Sequence, residues 1–321
     1  MGRFLAYRFL ALIASLVLAS AVIFVVLRQL PGDAGGATLG VGTTADQLAQ
    51  LRADLGTDLP VWQQYTTWIA SLFDGSTTSF ISREPVSDLI ASKLPITVPL
   101  SLAAFVVAVL VSIPLGVLAG IYRDSPLGVI VSGVSQLGLA IPIFWVGVLL
   151  VWWFALREQW LPSGGFPRAG WADPGAAVQS LILPVVTIAL AMSSVMVRYI
   201  RSATIDVVQS DYIRTARSLG YSLWGALARH GLRHMAVPVV AILGIELATS
   251  LLGAVVVENV FALPGLGTLL LTSVTGRDFP VVQNLILLLT AVVLIMNFAV
   301  EVIQRLLDPR LDGASATGVP A

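Results

Sequence analysis

Of the 321 residues, 57% are hydrophobic and 11% charged, and mean hydropathy is +0.90; a soluble domain carries ~25% charged residues, so this is an integral membrane protein. The 18 basic and 18 acidic residues cancel, which argues against nucleic acid as a partner. There is no cysteine, which excludes disulfides, thiol nucleophiles and cysteine-ligated metals, and the two histidines, His230 and His234, form no HExxH.

A membrane helix needs ~20 apolar residues. Residues 9–27 supply the first, with Arg3 and Arg8 before it and Arg28 after it. Ala19-Ser20-Ala21 has the pattern of a signal-peptide cleavage site, but the apolar run continues to Leu27, and we read a retained helix. A polar segment, 31–95, follows. Within it Thr44 and Gln47 fit a capping box, Leu48, Leu51 and Leu55 line one face, and Gly56 ends that helix. Val61, Tyr65, Trp68, Ile69 and Leu72 line a second amphipathic helix, and 88–94 forms a third, stopped by Pro95. Such helices lie on the bilayer surface or pack on the membrane domain, and the sequence does not choose.

Four more uncharged runs follow, 96–122, 126–156, 174–197 and 279–300, and a fifth, 235–257, is interrupted only by Glu246. With the first they predict six transmembrane helices. The run from Pro126 exceeds what a bilayer needs, so it is tilted, kinked at Pro142 or extended beyond the lipid. With the N-terminus inside, the inner segments hold eleven of the 18 basic residues and the outer segments seven, four of those in or beside the long polar segment. The positive-inside rule therefore puts both termini in the cytoplasm. Gly116 and Gly120 form a G-x-x-x-G, and Gly128, Gly133, Gly138 and Gly147 punctuate the next run, which is the pattern of close helix packing.

The longest inner stretch, 211–238, sets Arg214, Arg217, Arg229 and Arg233 against one acid, Asp211. Tyr212 to Leu219 is helix-compatible, Gly220 supplies a left-handed C-cap, and Ser222 caps a second helix over 223–234. On its charge alone this is either an ordinary positive-inside loop or a docking surface. No G-x-x-x-x-G-K-[ST] phosphate loop exists, because the only lysine, Lys93, follows Ser92; the chain has no recognisable means of binding ATP itself.

Several motifs, in order, carry a resemblance over nearly the whole chain. Arg214-Thr215-Ala216-Arg217-Ser218-Leu219-Gly220 resembles the E-A-A-x-x-x-G motif of importer-type ABC permeases, with Arg214 in the place of Glu as in the peptide-importer branch. Leu30-Pro31-Gly32-Asp33, Pro85-Val86, Leu94-Pro95, 113–119 (IPLGVLA), 141–147 (IPIFWVG), 258–267 (ENVFALPGLG) and Leu307-Asp308-Pro309-Arg310 fit the same branch. The chain thus resembles the B-type permease subunit of dipeptide or oligopeptide ABC importers. The resemblance implies an all-α type I importer permease fold: a first helix in 1–30, a partly helical extracytoplasmic segment 31–95, a permease domain 96–307 with a cytoplasmic coupling loop at about 199–234, and a tail 308–321. The segment 31–95 departs most from the family, lacking for example the proline often found after Asp33.

The resemblance also implies function. In that family a coupling helix sits in a cleft on a separate ATPase; here it falls on Tyr212, Ile213, Arg214, Thr215, Ala216, Arg217, Ser218 and Leu219, with Gly220 as the turn. Arg214 and Arg217 make the polar contacts. This chain is then a non-catalytic subunit without cofactor or metal, and ATP and Mg are bound by its partners. Those partners are a second homologous permease, two ATP-binding subunits or domains, and an extracytoplasmic substrate-binding protein. The setting is the bilayer of a bacterial or archaeal cell membrane. Glu258, Phe261, Pro264, Gly265 and Gly267 fall in the outer loop near the docked binding protein, or simply form a turn. Glu246, an acid inside a span, lines the pathway or bonds a neighbouring helix or the paired permease. Nickel and glutathione importers share these motifs, and an ATP-independent secondary transporter, which would show repeats and several buried charges, is the more distant alternative.

Overall fold

The computed structural model describes residues 2–29 and 58–307. The helix expected over Thr44 to Gly56, the motif 30–33 and the C-terminal motif from Asp308 lie outside the described residues. Among those described the chain is helical, with one isolated β-bridge between Thr78 and Pro85. It divides into two compact units: 1–98 with 262–294, and 99–261 with 295–321.

The first unit holds α1 (Gly2–Gln29), α2 (Val61–Asp74), the start of α3 (Val86–Ile121), α10 (Leu266–Thr275) and the start of α11 (Phe279–Leu307). Helix α2 is the amphipathic helix expected from Val61 to Leu72, and it stops at Gly75, whose φ of 69° is left-handed. Val86, Leu266, Val281 and Leu285 form a buried cluster. Thr97 Oγ1 accepts from the backbone N–H of Leu266 at 2.9 Å and caps α10. Asp278, 3% exposed, accepts from Ser79 Oγ at 2.5 Å and from the Phe80 N–H at 3.0 Å, which pins the turn preceding α3.

The expected stop at Pro95 does not occur. Helix α3 runs 36 residues without interruption through Pro95, Pro99 and Pro114. Each proline removes one backbone hydrogen bond, a loss that membrane helices tolerate because hydroxyl side chains, neighbouring helices and local adjustment re-satisfy the freed carbonyls. At ~1.5 Å per residue α3 is ~54 Å long, more than the ~30 Å hydrocarbon layer, so its ends project beyond the lipid.

The second unit holds the rest of α3, α4 (Pro126–Ala140), α5 (Ile143–Leu150) with a π-helical continuation over Val151–Arg157, α6 (Pro174–Gln209), α7 (Asp211–Ser218), α8 (Leu223–Ala226), α9 (Leu232–Val260) and the end of α11. Helix α6 is central, with sixteen buried residues from Ala177 to Val207. A Cβ on Gly116 would come within 2.7 Å of Ile200, and one on Gly120 within 2.5 Å of Thr204, so the G-x-x-x-G is where α3 meets α6. Gly138 meets Ser194 in the same way, bringing α4 onto α6, and Gly244 of α9 lies against Val300 of α11. Gly133 differs from expectation: it faces open space.

Of the three forms expected for the long run from Pro126, the chain takes the kink at Pro142, and it is sharp. It breaks at Ile141-Pro142 into α4 and α5, bent by 101°. Pro142 has φ −61° and ψ 136°, outside the helical region, and restarts the chain as the N-cap of α5. Among the described residues five helices are long and apolar enough to cross a membrane, and six spans result when the broken pair counts as one. The second helix expected at 223–234 is not separate either. Helix α8, a π-helical turn at Leu227–Gly231 and α9 form one apolar helix, Leu223–Val260.

Candidate functional site

Helix α7 is short, eight residues, with a defined start and a closed C-terminus. Ser210 precedes it with an extended ψ of 149°, Asp211 opens its first turn and Arg217 closes its last, each sign matching the helix dipole. The C-terminus closes in a Schellman motif: Tyr221 N–H donates to Ala216 C=O at 3.2 Å and Gly220 N–H to Arg217 C=O at 3.0 Å. Gly220 sits at φ +94°, where a side chain is strained. Two residues later the Ser222 hydroxyl accepts from Gly225 N–H at 3.1 Å and caps α8.

The eight-residue helix presents two faces. Ile213 is fully buried and Ala216 is 5% exposed; both pack in a cluster with Val207, Ala226, Leu227 and Met235, flanked by Val117 and Ile121. The inner side of α7 is thereby fixed to α3, α6, α8 and α9 at once. Two aromatic contacts reinforce the hold: Tyr212 lies 4.9 Å from the His234 ring and Tyr221 5.8 Å from His230. Both histidines of the chain thus brace this hairpin.

Tyr212, Arg214, Thr215, Arg217, Ser218, Leu219 and Gly220 are exposed on the other side, Leu219 at 75%. Arg214 Nη1 lies 3.2 Å from Asp211 Oδ1, an exposed pair worth little to stability. The Thr215 and Ser218 hydroxyls donate to carbonyls within α7 and occupy no outside partner. Arg214 and Arg217, with Val208, Gln209, Gly220, Tyr221 and Ser222, line a surface recess of about 560 Å³. With its amide oxygen turned toward Arg123, Gln209 accepts from that guanidinium. The sequence gives no direct sign of the part played by Gln209 and Tyr221 in this recess; an aromatic beside an Arg-rich helix was the available signal.

The remaining candidates do not join this site. Glu246 is buried within α9, at 8% exposure. Glu258 and Phe261 are buried as well, at 0% and 1%. Phe261 packs under Gly147 and its carbonyl accepts from Gly165 N–H at 2.7 Å. In the other unit Gly265 and Gly267 are buried and Pro264 is exposed. Of these five outer-loop candidates, four are buried in this chain.

Residues 112–313 match the family described as binding-protein-dependent transport system inner membrane component, and residues 1–103 match that family's N-terminal membrane component. The chain belongs to this family. As a permease of this kind it is 36% identical over 294 residues to a protein named as a peptide transport system permease in Brucella suis biovar 1, covering 90% of this chain and 92% of that one. It is 35% identical over 305 residues to the glutathione transport system permease protein of Salmonella choleraesuis, covering 95% and 97%. The fold of the permease also matches the inward-facing MetNI methionine ABC transporter, with a TM-score of 0.58 and 19% identity, over 70% of this chain and 98% of that one. This chain is an ABC importer permease.

Proposed function

We propose that this permease forms half of the translocation pathway of an ATP-driven importer of dipeptides or short oligopeptides, paired with a second homologous permease. Two ATP-binding subunits or domains bind ATP and Mg and dock from the cytoplasm, one of them on α7, while the permease pair receives cargo from an extracytoplasmic binding protein. Both termini lie in the cytoplasm of a bacterial or archaeal cell. The observation that carries this reading is α7 itself: a capped helix whose inner face is locked into four helices and whose outer face offers two arginines and an exposed leucine. A partner that moves α7 therefore moves α6 and α9 with it, because close-packed interiors transmit displacement rather than absorb it. Coupling needs such a lever, and the chain itself supplies no phosphate loop.

The relative named for glutathione favours a second cargo, itself a small peptide-like molecule; nickel is the third. Purification in gentle detergent, with mass spectrometry of accompanying chains, tests the assembly. The expected result is a second permease and P-loop ATPases, lost when 214–220 is replaced by a flexible linker. A chain that stays alone and moves peptide in ATP-free vesicles overturns the reading in favour of a secondary transporter.

A further inference from the structure

Helix α2 has no charged side chain before Asp74, and its residues fall into three sectors. Tyr65 and Trp68 face the protein. The Tyr65 hydroxyl lies 2.8 Å from Ser20 Oγ, Trp68 stacks on Phe24 with ring centroids 6.1 Å apart, and Trp68 Nε1 donates to Asn284 Oδ1 at 3.0 Å. Gln63, Thr67 and Asp74 share a polar sector at ~3.6 residues per turn. Between these lie Trp62 and Phe73, about three turns apart and nearly eclipsed, 67% and 89% exposed.

The depth of α2 identifies what covers that third sector. Ser20 and Phe24 lie inside the uncharged run of α1, Ser20 ~10 Å before its end at Leu27 at ~1.5 Å per residue. Asn284 lies within α11, after its first turn. The contacts that hold α2 are therefore made to the apolar parts of two candidate spans, not to residues beyond them. Exposed Trp and Phe at that level match the membrane–water boundary, where amphipathic rings concentrate. The polar positions agree. Arg28 Nη1 donates to Gln64 Oε1 at 2.6 Å at one end. At the other, hydrogen bonds from Ser76, its hydroxyl first and its backbone N–H second, hold Asp74 below the usual carboxylate range, a charge that belongs in water.

We infer that α2 is an interfacial helix whose Trp62–Phe73 face is covered by bilayer lipid at the acyl-chain and headgroup boundary where α1 ends. It fixes the segment leading into α3 against the membrane. The inference rests on the proposed orientation only for the choice of the outer leaflet.

The chain has no cysteine, so single-cysteine variants can each carry a nitroxide in the assembled importer in lipid vesicles. Trp62→Cys and Phe73→Cys report the lipid sector, Gln63→Cys and Thr67→Cys the polar one, with Thr66→Cys as an exposed substitute if either aromatic replacement fails to assemble. The reading is relaxation by dissolved oxygen against relaxation by a water-soluble nickel chelate. The expected result is an oxygen-to-nickel ratio several-fold higher at 62 and 73 than at 63 and 67. Equally low ratios at all four, which place the face in water, overturn the proposal. So does shielding of 62 and 73 from both agents, which means that a protein partner covers them. Ascorbate added outside vesicles whose ATP-binding subunits face the lumen reads orientation separately: labels at 63 and 67 that stay protected refute the outer-leaflet assignment while leaving the lipid contact intact.

Discussion

At Gly220 the backbone turns with φ +94°, and a Cβ there would meet nothing within 4 Å. Any cost of Gly220→Ala is therefore backbone strain, about 1–2 kcal/mol, and not a clash. We expect the variant to keep its thermal unfolding temperature within a few degrees, since one turn is affected, yet to lose ATPase stimulation by peptide. Unchanged stimulation would mean that the Schellman closure is not needed for coupling. Glu246 poses a different question at the same scale. It is buried already in the single chain, which favours packing within the permease over a lining role. Glu246→Gln keeps its shape and removes its charge, so uptake in proteoliposomes is expected to stay near that of the unaltered protein. A large loss of uptake with normal assembly would reassign Glu246 to the pathway.

Helices add a second layer, because α7 divides a packed face from an exposed one. Ile213→Ala removes a fully buried side chain from the cluster beneath α7 and is expected to cost about 2–5 kcal/mol, read as a lower unfolding temperature. Arg217→Ala, on the exposed face, is expected to leave unfolding unchanged and to weaken recovery of the ATPase subunits. Equal effects of the two on unfolding would contradict the two-faced description. Helix contacts make a parallel contrast. Gly244→Ala drives a methyl into Val300 and is expected to cost about 1–3 kcal/mol, whereas Gly133→Ala, facing open space, should be near neutral or slightly stabilising by thermal unfolding.

Much of this was legible in the chain. The Gly220 turn, the Ser222 cap and the Gly116–Gly120 contact follow from local rules of capping and small-residue spacing. The exceptions have a common cause. Pro95 and Pro142 carry the same local signal, yet α3 continues through the first and the chain breaks by 101° at the second. Packing around the helix decides which, and one residue does not encode it. Gly133 fails for a similar reason, since spacing shows that a helix face is smooth but not whether another helix lies on it. Phe261 looks like a loop residue in sequence and is buried where the Gly164–Gly165 turn folds over its backbone.

For the molecule as a whole, the central claim is that α7 faces the cytoplasm and bears on an ATP-binding subunit. The absence of cysteine makes this directly measurable. Ser218→Cys places one thiol on the exposed side of α7, where the native hydroxyl bonds only within its own helix. With a reagent that couples to this thiol and inserts into a neighbouring chain on illumination, in vesicles of the assembled importer, the account predicts a cross-link to the ATP-binding subunit whose yield changes with ATP. A thiol at 218 that reacts instead with an impermeant reagent added outside the cell, and forms no cross-link to that subunit, would contradict it.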